Sequence, residues 1–150
     1  VNGQSPYAVI ITCSDSRVSP EHIFGAGIGE LFVIRIAGNV IDDHALGSVE
    51  YGAEHLHAKA VFVLGHTGCG AVEAALSGSA HGYIKTITDE ISSGLSQGIS
   101  AEQVEILNVF NSIERIRESE IMKSLEEDGS VVIHGALYDT FTGHVEDIGE

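Results

Sequence analysis

Two apolar stretches of the sequence each end in side chains that bind metals. Residues 7–12 (YAVIIT) lead into Cys13, and residues 60–65 (AVFVLG) lead into His66 and Cys69. Zinc favours thiolate and imidazole ligands, and three protein ligands leave a fourth tetrahedral position for water. The stretch GHTGCG is rich in glycine, so one tight turn can present both His66 and Cys69 to one ion. These three residues are therefore candidate zinc ligands.

Two other interpretations of Cys13, His66 and Cys69 remain open at this point. Free cysteine is commonly a buried, inert residue, and the histidine could equally belong to the core. A disulfide between the two cysteines is the third interpretation, but disulfides are typical of secreted chains. Only two cysteines in 150 residues, both at the ends of apolar runs, do not resemble a disulfide framework.

Asp15 and Arg17 alternate with Cys13 along the chain, which places a carboxylate and a guanidinium beside the candidate metal site. Such a pair forms charge-assisted, often bidentate hydrogen bonds. It could hold Asp15 as the acceptor for a metal-bound hydroxide, or it could keep Asp15 from occupying the fourth metal position. The alternative is a surface ion pair that contributes about 0–1 kcal/mol.

The two metal-binding stretches belong to a set of four short apolar runs, a pattern typical of strands buried on both faces of a parallel sheet. These runs lie at residues 7–12, 31–36, 60–65 and 130–137. Amphipathic helices are predicted between them, at residues 45–56, 84–91, 104–116 and 121–125, with a further helix start at Ser19-Pro20. Residues 137–148 alternate around Gly143, which predicts a hairpin to an antiparallel edge strand.

This order of elements predicts an α/β fold with a mainly parallel central sheet flanked by helices and an antiparallel C-terminal edge strand. Ligands of such sheets bind beyond the carboxyl ends of the strands. Cys13 and His66 follow two of those ends, so the predicted topology places the site where the candidate ligands are.

Length and charge narrow the class of protein. No linker or repeat interrupts the 150 residues, so we expect one domain spanning residues 1–150. A formal net charge of −15 argues against a nucleic-acid partner. No apolar run approaches the roughly 20 residues of a membrane span. Because the cysteine usage suits a reducing compartment, we expect a cytoplasmic protein.

The pair CSDSRV (residues 13–18) and HTGCGAV (residues 66–72) resembles the signature of the β-class carbonic anhydrases. Three further segments are similar to that family in the same order: GELFVIRIAGNV, SVEYGAEHL and VVIHGALYDTFTG. The resemblance implies one Zn²⁺ per chain, held by the two cysteines and the histidine. It also implies reversible hydration of carbon dioxide to bicarbonate and a proton through a zinc-bound hydroxide, which makes the chain a lyase.

The resemblance also implies roles for five neighbouring residues. It places the Asp15–Arg17 pair beside the metal as catalytic residues. It makes the Gly70 amide a donor to a bicarbonate oxygen, and Ala37 and Gly38 small apolar walls around the substrate. Both small stretches could equally be tight turns without a substrate role.

The sequence departs from the family pattern at two places. Related enzymes often carry a substrate-holding glutamine before GELF, where this chain has Gly25-Ala26. Members usually also begin with a helical arm that wraps a partner subunit, and we expect the domain of residues 1–150 to lack this arm. The resemblance implies a homodimer or a dimer of dimers. The alternatives to carbon dioxide hydration are a hydrolase for carbonyl sulfide or carbon disulfide, and a catalytically impaired zinc protein that binds bicarbonate.

Overall fold

A five-stranded sheet organises the computed structural model, which describes residues 3–93, 95–96 and 98–149. The strands are β1 (Ala8–Thr12), β2 (Leu31–Arg35), β3 (Ala60–His66), β4 (Val132–Tyr138) and β5 (Val145–Gly149). They lie in the order β2-β1-β3-β4-β5; the first four are parallel, and β5 runs antiparallel to β4. The predicted α/β fold with an antiparallel C-terminal edge strand is confirmed.

Helices fill the connections between the four parallel strands. They are α1 (Pro20–Phe24), α2 (Asp43–Glu50), α3 (Gly70–Ser77), α4 (Ile84–Ser92), α5 (Ala101–Arg117) and α6 (Glu120–Glu127). The sequence did not predict α3, because this short helix of mostly small residues carries little periodic pattern. No helix in the described part of the chain is long and apolar enough to cross a membrane.

The predicted helix at residues 45–56 is divided in two. It is an α-helix as far as Glu50 and continues as a π-helical turn over Tyr51–His55. The backbone of this turn lies close to the sheet at Gly52, where a Cβ atom would stand 2.6 Å from Cγ2 of Val9. The apolar pattern thus predicts one helix to residue 56, whereas the α-helical backbone ends at Glu50.

The core lies mainly between the sheet and the long helix α5. Strand β1 is buried along its whole length, as expected for a central parallel strand. The largest cluster combines residues of β1, β3 and β4 with residues of α5, namely Val9, Ile11, Val61, Val63 and Ile133 with Val109, Ile113 and Ile116. A Ser100–Gln103 capping box, in which each side chain accepts from the other residue's backbone N–H, begins α5.

Helix α5 lies close to β3 at a glycine of the strand. A Cβ atom on Gly65 would stand 2.6 Å from Cγ2 of Val109 and 3.2 Å from Cδ1 of Leu137. Such distances leave no room for a methyl group unless the helix or the strand moves. Gly65, the residue before His66, therefore allows α5 to pack closely on the end of β3 that carries the metal ligand.

We expect Gly65→Ala to destabilise the protein by about 1–3 kcal/mol, because overpacking forces the backbone of α5 or β3 to shift. Gly47→Ala is the matched control, since Gly47 lies inside α2 with open space around its Cβ position. The control should be unchanged or up to about 1 kcal/mol more stable. Urea unfolding of both variants measures the difference, and equal midpoints would contradict the close packing.

Candidate metal centre

Cys13, His66 and Cys69 converge at the carboxyl ends of β1 and β3. One ligand atom from each lies within 4.8 Å of the other two. All three residues are buried, with 5%, 1% and 2% of their surface exposed. Both cysteines are free thiols, so the disulfide interpretation is wrong. The structure thus brings together a soft, buried donor set that could hold one metal ion.

The hydrogen bonds of His66 leave one ring nitrogen available. Nδ1 lies 3.0 Å from the carbonyl oxygen of Thr67, and because a carbonyl can only accept, Nδ1 carries the proton. The other nitrogen, Nε2, is buried and has no hydrogen-bond partner among the described residues. A buried polar atom without a partner needs an explanation, and a metal ion supplies one. This tautomer fits a zinc ligand and disfavours a core histidine without a role.

Backbone amides surround the sulfur of Cys13. The N–H of Gly38 lies 3.2 Å from Sγ, and the N–H of Asp15 lies 3.4 Å from it. The hydrogen bond from the Cys69 thiol lowers the pKa of Cys13 most, although burial opposes the shift, and the Gly38 and Asp15 amides lower it further. The shared hydrogen bond and burial raise the pKa of Cys69. A coordinated metal ion would deprotonate both thiols.

Asp15 and Arg17 form a bidentate pair at the rim of the site. Arg17 Nε donates to Asp15 Oδ1 at 3.0 Å, and Nη2 donates to Oδ2 at 2.7 Å. Nη2 also donates to the carbonyl of Gly68 at 3.0 Å, which ties the pair to the loop between His66 and Cys69. The guanidinium holds the pKa of Asp15 well below its ordinary value. Asp15 Oδ2 lies 3.9 Å from His66 Nε2, so the pair is part of the site rather than an isolated surface ion pair.

Arg35 is a site residue that the sequence analysis missed. It ends β2, and its side chain donates to two backbone carbonyls, that of Cys13 at 3.2 Å and that of Asp15 at 2.6 Å. The segment from Cys13 to Asp15 is therefore fastened to the neighbouring strand. The available signal was a single arginine in the otherwise apolar run LFVIRI.

The predicted substrate residues lie on the two loops that border the metal ligands. Ala37 and Gly38 belong to a 3-10 turn after β2, and Gly38 has a φ of 69°, which favours glycine. The Gly38 amide is engaged by the sulfur of Cys13. Gly70 is the first residue of α3, where backbone N–H groups have no acceptor within the helix. Contact of these residues with a substrate stays a prediction.

Three buried polar residues of α5 also reach these loops and were missed. Glu105 accepts from the N–H of Cys69, while Asn108 and Ser112 donate to the carbonyls of Gly38 and Asn39. The sequence analysis followed the apolar stripe of this helix. The signal was the spacing of the polar residues, which puts them on one face of the helix together with buried apolar residues.

Comparisons with known proteins identify the family to which this site belongs. The carbonic anhydrase family profile matches residues 8–145. Carbonic anhydrase 2 of Mycobacterium tuberculosis is 37% identical, over 99% of this chain and 80% of the relative. A carbonic anhydrase of Mycolicibacterium smegmatis is 36% identical, over 98% and 80% of the two chains.

Solved structures identify the class within the carbonic anhydrases. The β-carbonic anhydrase CcaA has a TM-score of 0.84 at 28% identity, covering 95% of this chain and 73% of that one. A tetrameric β-carbonic anhydrase from Sordaria macrospora has a TM-score of 0.87 at 26% identity, covering 99% and 83%. The chain belongs to the β-carbonic anhydrase family, a zinc-dependent enzyme family whose general reaction is the reversible hydration of carbon dioxide.

Proposed function

We propose that this chain hydrates carbon dioxide reversibly at a single zinc ion held by Cys13 Sγ, His66 Nε2 and Cys69 Sγ. The observation that carries the proposal is the convergence of three buried donor atoms, one of them an imidazole nitrogen that has no other partner in the described part of the chain. Zinc, when bound, lowers the pKa of a water at its fourth position and polarises substrate oxygens. Two thiolates and one neutral imidazole suit this ion better than Mg²⁺ or Ca²⁺, which prefer oxygen.

In this proposal Asp15 and Arg17 prepare the site without binding the metal. Both carboxylate oxygens of Asp15 accept from Arg17, which turns the carboxylate toward the guanidinium. Asp15 is thereby kept from filling the fourth metal position, although Oδ2 is only 3.9 Å from His66 Nε2. The restrained, ionised carboxylate would then accept a hydrogen bond from the O–H of the attacking group, which would direct a lone pair of that oxygen toward the substrate.

Small groups complete the proposed pocket. Carbon dioxide is uncharged and has three atoms, so Ala37 and Gly38 provide walls of suitable size after β2. We propose that the amide of Gly70, the first residue of α3, donates to a bicarbonate oxygen, because backbone N–H groups at a helix N-terminus bind anions. Cys13 and Cys69 can bind a metal only while both are reduced. We therefore propose that the protein works in the cytoplasm, a reducing compartment.

We expect the zinc-loaded protein to accelerate carbon dioxide hydration, and His66→Ala to abolish both zinc binding and this activity. Loss of a ligand should weaken zinc binding by more than the roughly 10- to 100-fold typical of outer-shell changes. His81→Ala is the matched control, because His81 is exposed and outside the cluster. Zinc analysis and stopped-flow hydration assays test both variants.

The same preparation should be assayed with carbonyl sulfide and carbon disulfide. Faster turnover of either substrate than of carbon dioxide would assign the site to a related hydrolase. A zinc-replete protein that hydrates carbon dioxide no faster than buffer would indicate a bicarbonate-binding protein and would overturn the proposal.

Replacing Arg17 should separate catalysis from metal binding. Arg17→Gln removes the bidentate hold on Asp15, and we expect kcat/KM for hydration to fall by about 10- to 100-fold while the zinc content stays at one per chain. Arg115→Gln is the control, since Arg115 forms an ion pair with Asp43 away from the site. If Arg17→Gln were as active as Arg115→Gln, Asp15 would not need its partner.

We also propose that the single domain of residues 1–150 assembles as a homodimer or a dimer of dimers. Strand β2 is an edge of the sheet, and no described strand pairs with its outer side. Unpaired strand edges are sites of association. Two exposed apolar side chains next to β2 support the same assembly: Ile28 lies three residues before the strand, and the ring centroid of Tyr51 lies 6.0 Å from that of Phe32.

Light scattering coupled to size exclusion should therefore report at least twice the chain mass of 15.8 kDa at micromolar concentration. A concentration series separates a dimer from a dimer of dimers. A species of single-chain mass over the whole series would contradict the assembly.

A further inference from the structure

Helix α5 carries a row of buried polar side chains that its packing on the sheet does not explain. Glu105, Asn108 and Ser112 are exposed by only 4%, 3% and 4%, although their neighbours Val104, Val109 and Ile113 are core residues. Their spacing of three and four residues puts them along one face of the helix. Burying a polar group is costly unless it is hydrogen-bonded. These three side chains therefore need hydrogen-bond partners inside the protein.

The partners are the backbones of the two loops that border the metal centre. Glu105 Oε1 accepts from the N–H of Cys69 at 3.0 Å, between two groups that are both buried. Asn108 Nδ2 donates to the carbonyl of Gly38, and Ser112 Oγ donates to the carbonyl of Asn39 at 2.9 Å. Each side chain of the row thus bridges from α5 to a loop that carries or contacts a cysteine ligand.

We propose that Glu105 and Asn108 are positioning residues for the carbonic anhydrase reaction, which hold the two cysteine ligands in the geometry that zinc requires. The inference rests on the proposed binding of zinc by Cys13, His66 and Cys69. It adds that the sheet alone does not set that geometry, because one helix restrains Cys69 through its own backbone N–H and Cys13 through the Gly38 amide that contacts its sulfur.

Glu105 acts on the ligand that lies furthest beyond its strand. Cys69 follows β3 by three residues and stands at the N-cap position of α3, where its side chain makes no capping hydrogen bond. Its backbone N–H donates to Glu105, which fixes the main chain at this residue. The thiol is not used as a helix cap and can bind the metal. The loop is otherwise rich in glycine, with a φ of 65° at Gly68, and this external restraint limits its freedom.

Asn108 acts on Cys13 through Gly38. The Gly38 carbonyl accepts from Asn108, and the Gly38 N–H donates to the sulfur of Cys13 at 3.2 Å. A Cβ atom on Gly38 would stand 2.8 Å from Cδ1 of Ile91, so the turn is also confined from the side of α4. The turn has little room to move, and the amide that it directs at the sulfur is held in place. Hydrogen bonds of this kind orient a ligand and tune its donor strength.

Replacing each side chain by an apolar one of similar size tests the proposal. We expect Glu105→Met and Asn108→Leu to weaken zinc binding by about 10- to 100-fold in competition with a chromophoric chelator. The absorption bands of the cobalt(II)-substituted protein should also shift, because they report the geometry and the thiolate character of the ligands. Glu105→Gln keeps an oxygen acceptor for the Cys69 N–H, so it should restore affinity to within about tenfold of the unmodified chain.

Two controls separate positioning from general stability. Ile116→Ala removes a buried core side chain of the same helix and should lower the melting temperature without moving the cobalt bands. Glu102→Gln changes an exposed carboxylate in the first turn of α5 and should change neither. If Glu105→Met does not fold, Glu105→Asp, which shortens the reach by one methylene, is measured in its place with the same expectation.

The outcomes distinguish this inference from the proposed function. Wild-type zinc affinity and unchanged cobalt bands in the Glu105 and Asn108 variants would overturn the inference alone. The inference would also be overturned if Ile116→Ala shifted the cobalt bands as much as the Glu105 and Asn108 variants shift them. An unmodified chain that binds neither zinc nor cobalt would overturn the proposed function and this inference together.

Discussion

The pairing of β1 with β3 is the constraint on which the site depends. Their parallel register sets Thr12 beside Leu64, so Cys13 emerges one residue after the last pair and His66 two residues after it. Parallel strands end at the same edge of a sheet, and neighbouring strands lie about 4.8 Å apart. Residues separated by more than fifty positions in the chain are thereby brought within the 4.8 Å that joins the three ligand atoms.

Charge is distributed at this edge in a way that the net charge of the chain does not suggest. The protein has 22 acidic residues and only 7 lysines and arginines, yet Arg17 and Arg35 both lie beside the metal ligands. Their guanidinium groups hold the Asp15 carboxylate and the carbonyls around Cys13. The positive charges of the two arginines thus offset the negative charge of the carboxylate and of any thiolates in the site. Their hydrogen bonds also orient the backbone of the site.

The strands and the class of fold were predictable because each strand is a short apolar run between turn residues. β1, for example, is buried on both faces, and its five residues are all apolar except the last. The π-helical turn that follows α2 and the short helix α3 were not predicted. The π-helical turn lies against the sheet at Gly52, and the small residues of α3 give little periodicity. The contact of Gly52 with β1 joins residues distant in sequence, and such tertiary contacts override local helix propensity.

The sequence by itself determined which residues could bind the metal and which strand ends would carry them, because residue type, spacing and apolar pattern are local properties of the chain. Only the tertiary structure decided that His66 offers Nε2 and that Arg17 reaches Gly68. It alone also showed that α5 directs Glu105 and Asn108 at the loops of the two cysteines. These contacts join segments up to 70 residues apart, and a hydrogen bond depends on distance and angle in space rather than on position in the sequence.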